Sequence, residues 1–329
     1  MGSVSPPAAP GPPSGAPGPP PAASGGPSGA PDGPARPGLW KRCLGGGLLL
    51  WVLTAVVTYA TRNTTLLPTL ILLGSFLVPA AFVLWAYEKH GRALGAHVLL
   101  SCFFVGGILG VLGASVMEYY LLHPSLWMFV GVGLIEEAVK LLALVFVVRR
   151  WPRLRGLRAG MVLGAAVGFG FAAFESAGYA FNAVVTMQGL NLRALLETEI
   201  LRGLLAPFGH GLWTAIAGGV LLRFRAPDGR FRLAGPVLGT YLGVSLLHAL
   251  WDSMHGIALW LVARLTSSGL DRTLFAQGYL PRPSSGQKHL FTLFADGGLV
   301  VVSLIAVAWL VSLARSGRNG PDRGARGGG

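Results

Sequence analysis

Charged residues are scarce in this chain, where they make up 12% of the 329 positions. Acidic residues are especially few, since only 13 of the residues are Asp or Glu. Apolar residues account for 52% of the chain, and its mean hydropathy is +0.59. A soluble domain has about 25% charged residues. The composition therefore excludes an ordinary soluble domain and is typical of a protein that crosses a membrane several times.

Cysteine is also scarce, with only Cys43 and Cys102 in the whole chain. The two do not form a CxxC pair, so neither a disulfide framework nor a zinc ribbon is expected. The formal net charge of +13 raises the question of a nucleic acid partner. However, the Lys and Arg residues lie in short stretches between apolar runs, which is typical of loops retained in the cytoplasm. We therefore expect no nucleic acid partner.

Long apolar runs are what the chain has in abundance. A helix needs about 20 apolar residues to cross the hydrocarbon core of a bilayer. The sequence therefore predicts an all-α polytopic membrane protein, a bundle of about eight transmembrane helices. The predicted spans cover residues 43–61, 66–86, 96–117, 125–148, 157–184, 203–222, 234–262 and 290–314.

The two ends of the chain differ from this central region. Residues 1–38 are almost entirely Pro, Gly, Ala and Ser, a composition that cannot bury enough apolar surface to fold. We predict a disordered tail at 1–38, a transmembrane domain at 39–314 and a disordered Arg/Gly-rich tail at 315–329. The flanks of the spans carry 18 Lys and Arg residues on one side of the membrane and 7 on the other. The positive-inside rule then places both termini in the cytoplasm, with the protein in the cell's inner (plasma) membrane.

Several ionisable side chains lie inside the predicted spans. A carboxylate costs roughly 2.5–3.5 kcal/mol at the centre of a membrane helix on insertion scales, so such groups face a protein interior or a wet cavity and usually serve a function. The groups in question are Glu136, Glu137 and Lys140 in the fourth span, Glu175 in the fifth, His210 in the sixth, and His248 and Asp252 in the seventh.

Helical geometry groups these side chains. Residues three or four positions apart lie on one face of a helix. Lys140 can therefore reach both Glu136 and Glu137, and His248 shares a face with Asp252. At a rise of 1.5 Å per residue, the four spans carry these groups at compatible depths, in the middle and outer half of the bilayer. We therefore predict one buried site built from four helices.

This set of residues predicts hydrolytic chemistry. One carboxylate of the Glu136–Glu137 pair can activate a water molecule while the other is protonated or held by Lys140. A neighbouring His can donate to the oxyanion that forms when water adds to an amide carbonyl. A second His, oriented by Asp252, can act as an acid or as a further donor. The spans contain no GxSxG motif and no Ser-Lys arrangement, so serine chemistry is not indicated.

Four short motifs follow one another on successive spans. EEAVK at 136–140 matches EExxK, FAAFE at 171–175 matches FxxxE, and HALWD at 248–252 matches HxxxD. PFGH at 207–210 supplies the His of the third motif, although Ala206 stands where a stricter FxxxH pattern has Phe. In this order the motifs resemble those of the PrsW family of intramembrane proteases, which is related to the CAAX-type prenyl endopeptidases and the bacteriocin-processing enzymes. The resemblance covers about residues 40–314.

The resemblance implies an intramembrane endopeptidase that cuts membrane-anchored proteins. The best-known role in the family is the first cut of a single-span anti-sigma factor. The expected partners are therefore the lipid bilayer and a single-span membrane protein of that kind. Residues and resemblance together give catalytic roles to Glu136, Glu137, His210 and His248, with support from Lys140, Glu175 and Asp252.

The residues alone require no cofactor, but they leave zinc open. The chain has no HExxH motif, so the usual zinc-protease signature is absent. Yet four acids face a single Lys in the predicted site, and the excess charge must be removed by protonation, by charged His or by a bound cation. Carboxylate and imidazole ligands suit Zn²⁺, and the PrsW family is often described as metalloproteases. If a metal is present, its expected ligands are Glu137, Glu175, His210 and His248.

Three alternative functions use the same sequence features. A proton- or cation-coupled transporter would use the buried acids and His residues as a relay that extends from one membrane face to the other. No internal repeat or pair of broken helices supports that alternative. A CAAX-type prenyl endopeptidase typically has EExxxR and HxxxN, whereas this chain has Lys140 and Asp252. A scaffold without catalytic activity would tolerate loss of the acids.

Overall fold

The computed structural model describes residue 2 and residues 38–186, 189–269, 271 and 282–319. The predicted tail at 1–38 lies outside the described residues, apart from Gly2 and Gly38. The predicted tail at 315–329 is described only to Asn319, and up to that residue it continues the last helix. The predicted apolar span at 290–314 therefore covers only part of this helix, which runs from Ser285 to Asn319.

The described residues form helices joined by short connections. The helices are α1 (Leu39–Thr61), α2 (Leu67–Leu94), α3 (Ala96–Leu121), α4 (Met128–Val148), α5 (Leu157–Val184), α6 (Leu192–Leu205), α7 (His210–Arg223), α8 (Gly235–Thr266) and α9 (Ser285–Asn319). Single 3₁₀ turns cover Thr64–Leu66 and Ala206–Phe208. A two-stranded antiparallel hairpin of β1 (Val185–Thr186) and β2 (Gly189–Leu190) joins α5 to α6.

The all-α polytopic architecture is confirmed. Among the described residues, seven helices are long and apolar enough to cross a membrane. α4 corresponds to the remaining predicted span and has 21 residues, which is about 31 Å at 1.5 Å per residue. It differs from the seven because it carries Glu136, Glu137 and Lys140. All three side chains are buried in the protein, so the charge that lowers the hydropathy of α4 does not face lipid.

The sixth predicted span begins too late in the sequence. The prediction started at residue 203, whereas the candidate span runs from Leu192 to Arg223. Charged residues in α6 lower its hydropathy, and the sequence analysis therefore placed this segment in a loop. The span is divided into α6 and α7 by the turn at Ala206–Phe208. Pro207 has no N–H group for a helical hydrogen bond, so the helix is interrupted directly before His210.

Close backbone approaches bring the site helices together. A side chain at Gly168 of α5 would collide with the backbone carbonyl oxygen of His210, and one at Gly164 would collide with that of Thr214. α4 and α8 approach in the same way, because a side chain at Gly133 would meet the carbonyl oxygen of Ser245. Small residues at helix interfaces allow such contacts in membrane proteins. These contacts set the positions of α4, α5, α7 and α8 around the polar residues.

Candidate active site

A buried ammonium group lies at the centre of the site. Nζ of Lys140 is 3.0 Å from Oε2 of Glu136 and 2.9 Å from Oε1 of Glu137. The spacings of four and three residues on α4 bring these groups onto one face. The same nitrogen lies 2.8 Å from Nδ1 of His210 on α7 and 4.1 Å from the centre of the Phe171 ring on α5. Lys140 therefore contacts polar or aromatic groups on three helices.

His210 is the first residue of α7 and uses both ring nitrogens. An ammonium group can only donate, so Nδ1 of His210 accepts from Lys140 and Nε2 carries the ring hydrogen. That Nε2 donates to Oε2 of Glu175 over 3.0 Å. The ring of Phe171 lies 5.3 Å from the His210 ring, measured between centroids. The aromatic neighbour of this His is thus the Phe of the FxxxE motif, while Phe208 is exposed.

His248 reaches the same acids from α8. Its Nδ1 lies 3.1 Å from Oε1 of Glu137. Its Nε2 lies 3.3 Å from Oδ2 of Asp252 and 3.6 Å from Oε2 of Glu136. The indole of Trp213 covers the ring, with centroids 4.7 Å apart and planes 32° apart. His248 is therefore held between acids at its edges and an aromatic face.

All seven residues that the sequence predicted lie in one connected cluster. The contacts run from Asp252 through His248 to the acid pair of α4, on to Lys140 and His210, and end at Glu175. Four helices contribute: α4, α5, α7 and α8. The arrangement concentrates carboxylates and imidazoles at one place in the bundle, as hydrolytic chemistry requires.

Arg202 belongs to the cluster and was missed by the sequence analysis. It lies in the last turn of α6 and forms an ion pair with Glu175 through Nη2. The sequence analysis treated it as a loop cation because it began the sixth span at residue 203. Its position inside the apolar stretch ILRGLLAPFGH at 200–210 is a signal that would have identified it.

A further acid near the cluster, Glu118, was also missed. Glu118 lies in the last turn of α3 and interacts electrostatically with Glu175 and Lys140. Its Oε1 is buried and has no hydrogen-bond partner within the described part of the chain. The predicted third span ended at residue 117, directly before Glu118.

A cavity of about 310 Å³ opens beside the cluster. Its polar wall includes Glu175, His210 and Asp252, while Trp251 and Leu205 form part of its apolar wall. The side chain of Glu136 is not fully enclosed, with 8% of its surface exposed, whereas that of Glu137 is 0% exposed. A peptide group in this cavity would meet Glu175, His210 and Asp252 at its wall.

Comparison with known protein families gives a match to the PrsW family intramembrane metalloproteases over residues 93–276. The matched stretch covers more than half of the chain and includes all four motifs. This chain belongs to the PrsW family. It is therefore an intramembrane endopeptidase that acts on membrane-embedded proteins. Neither the comparison with curated proteins nor that with solved structures gave a match.

The family description names a metal, and part of the PrsW site has suitable spacing for one. In the described ranges, Glu136, His210 and His248 offer ligand atoms that lie within 4.8 Å of one another. Oε2 of Glu136 is 3.6 Å from the His248 ring and 3.8 Å from the His210 ring, against roughly 3.3 Å between the ligands of a tetrahedral zinc ion. The acid of this group is Glu136 and not the predicted Glu137 or Glu175.

The lone pairs of the site fit a metal less well than the spacing does. Nδ1 of His210 already accepts from Lys140, and its Nε2–H points at Glu175. His210 therefore has no free lone pair for a metal in this arrangement. Arg202 adds a second basic group, and Glu118 adds a fifth acid. The excess of acids over basic groups is therefore the same as the sequence predicted.

Proposed function

We propose that this protein cuts a peptide bond of a single-span membrane protein with a water molecule that Glu136 activates. The observation that supports the proposal is the position of Glu136 Oε2, which lies 3.6 Å from Nε2 of His248 and 3.8 Å from Nδ1 of His210. A base, two imidazoles and a neighbouring cavity are the parts that general acid–base hydrolysis of an amide needs.

Different roles follow for the two glutamates of the predicted catalytic pair. Glu137 is completely enclosed, and its Oε1 accepts from both Lys140 and His248. We assign it the task of holding those two side chains in place. Glu136 retains some exposure. Only Lys140 donates to its Oε2 within hydrogen-bond distance. This carboxylate is the better general base because it is the only one of the pair with exposed side-chain surface.

The proposed reaction balances without any further reactant. Glu136 takes a proton from water as the water oxygen bonds to the carbonyl carbon. The oxyanion then accepts one hydrogen bond from Nε2 of His248, which exchanges its contact with Asp252 for the oxyanion while Glu137 holds Nδ1. The proton passes from Glu136 to the amide nitrogen as the C–N bond breaks, which releases an amine and a carboxylic acid. Stabilisation of the oxyanion by fixed donors is usually the largest catalytic term.

The contacts favour hydrolysis over the alternatives. A transporter relay needs polar groups along a path through the membrane, whereas the seven predicted residues form a single contact cluster. The single break between α6 and α7 is not matched by a second one among the described helices. The family match is to PrsW rather than to the CAAX-type endopeptidases.

The substrate class rests on the family and on the cavity. We propose a single-span protein of the anti-sigma-factor kind, cut in the inner membrane, with both termini of the protease in the cytoplasm. A volume of about 310 Å³ accommodates a few unwound residues but not a whole helix. A substrate segment would therefore have to unwind locally at the cleaved bond.

The Glu136→Gln variant tests the proposal. The amide keeps the shape of the side chain but cannot accept the proton, so cleavage should fall by about 10²–10⁴-fold. Membranes from cells that express each variant would be compared for new N-termini inside apolar spans by mass spectrometry. Glu197→Gln is the matched control, because Glu197 is exposed and pairs only with Arg193 among the described residues. Equal sets of new N-termini in wild type and E136Q would contradict the proposal.

A further inference from the structure

Arg202 holds Glu175 from a different helix than the four that carry the motifs. Its Nη2 forms an ion pair with Oε2 of Glu175, and its Nε donates to the hydroxyl of Ser176 over 2.7 Å. Its guanidinium also lies 4.3 Å from the centre of the Tyr179 ring. The three partners are neighbours on α5, so the planar guanidinium lies along one face of that helix and contacts all three side chains.

The oxygen that Arg202 contacts is the one that His210 uses. Oε2 of Glu175 accepts from Nε2 of His210 over 3.0 Å as well as from the guanidinium. The hydrogen on Nε2 leaves Nδ1 as the acceptor for Lys140 at 2.8 Å. A continuous series of contacts therefore leads from Arg202 to the group that holds the catalytic base, Glu136.

The position of Arg202 near the helix break adds to this argument. It precedes Pro207, where the helix is interrupted, and His210 follows the interruption directly. Without a continuous helix to set its position, the ring of His210 depends on side-chain contacts. Carboxylates that receive the second ring N–H of a functional His fix the tautomer and the orientation of the ring.

We propose that Arg202 is a positioning residue of the protease, which sets the tautomer and orientation of His210 by fixing Glu175. This inference rests on the proposed function, because His210 acts on the reaction through Lys140, which holds the proposed base Glu136. Arg202 touches no reacting atom in the proposed mechanism. Its effect on kcat therefore acts through the arrangement of the site, and a separate effect on KM is measured because Arg202 also lines the cavity.

The test uses Arg202→Met and Arg202→Lys in the full-length protein in detergent. The probe is a quenched-fluorescent peptide that contains the bond cut by the wild type. R202M should lower kcat about 10- to 100-fold, the usual effect of losing a group that orients a functional His. KM is measured as well, because Arg202 also lines the cavity and a lost substrate contact would raise KM rather than lower kcat. R202K should recover much of the activity, since its ammonium can still pair with Glu175.

Arg193→Met is the matched control. Arg193 lies on the same helix, but its side chain is 88% exposed and pairs with Glu197. R193M should have wild-type kcat and KM. A thermal unfolding curve of each variant, recorded on the same sample, gives the folded fraction by which kcat is divided.

A double variant separates positioning from a general effect on folding. If Arg202 acts through Glu175, the variant R202M with Glu175→Gln should be no slower than Glu175→Gln alone. Wild-type kcat per folded molecule in R202M would overturn the positioning role. So would multiplicative losses in the double variant. The proposed function survives either result as long as E136Q remains inactive, and it fails separately if E136Q cleaves normally.

Discussion

Nζ of Lys140 lies 2.8 Å from Nδ1 of His210, which is 70 residues away in the sequence. This contact connects the acid pair on α4 with the helix that begins at the break. The ammonium is completely buried and contacts both Glu136 and Glu137. A buried ion pair of this kind needs all its members, because each compensates the charge of the others.

Replacement of Lys140 should strongly destabilise the protein. Lys140→Met leaves two buried carboxylates without their cation, and loss of one partner of a buried pair costs about 3–5 kcal/mol. Denaturant unfolding of the purified protein in detergent micelles would measure the change. Lys288→Met is the control, since Lys288 is exposed near the start of α9. An unfolding free energy equal to that of the wild type would show that the carboxylates do not depend on this ammonium.

Replacement of Gly168 should move His210 away from Glu175. The new methyl group of Gly168→Ala would collide with the backbone carbonyl of His210, and overpacking of this kind typically costs about 1–3 kcal/mol. We expect a lower thermal midpoint together with a lower cleavage rate. Gly178→Ala on the same helix is the matched control, because nothing lies within 4 Å of the added carbon. Similar behaviour of the two variants would mean that the contact between α5 and α7 is not tight.

Cleavage should persist after removal of metal ions. His210 has no free lone pair in the observed arrangement, and Lys140 and Arg202 supply positive charge to the acids. We expect the chelated protein to keep its activity and to contain less than one zinc ion per chain by elemental analysis. Loss of activity on chelation that zinc restores, together with a lower zinc content in Glu136→Gln, would instead identify the Glu136, His210 and His248 group as a metal site.

The orientation predicted from loop charge can be tested with reporter fusions. Arg202 lies on α6 inside a candidate span. It therefore no longer counts among the loop cations on the side of the membrane that has fewer Lys and Arg residues. Cations of the larger group, such as Lys89 and Arg223, also lie inside candidate spans, so the predicted orientation depends on the sign of the charge difference and not on its size. We expect a fluorescent protein to be active at either terminus and a periplasmic phosphatase to be inactive there. The opposite pattern would reverse the predicted topology.

Much of the site was predictable because its residues are unusual where they occur. The chain has only 12% charged residues, so an ionisable side chain inside an apolar run is rare and indicates a functional site. The spacing of Glu136, Glu137 and Lys140 also predicted their contacts, because helical periodicity acts within a single helix. Arg202 escaped the prediction because the charges of α6 made that helix resemble a loop.

The sequence by itself determined the class of protein and seven of the residues of the cluster. Hydropathy identifies membrane spans over windows of about 20 residues, and helical spacing identifies faces. Only the tertiary structure decided that Glu175 is shared by His210 and Arg202, and that Lys140 reaches His210. Contacts between helices depend on their rotation and offset, which are set by approaches such as that of Gly168 to His210. No local pattern in the sequence contains that information.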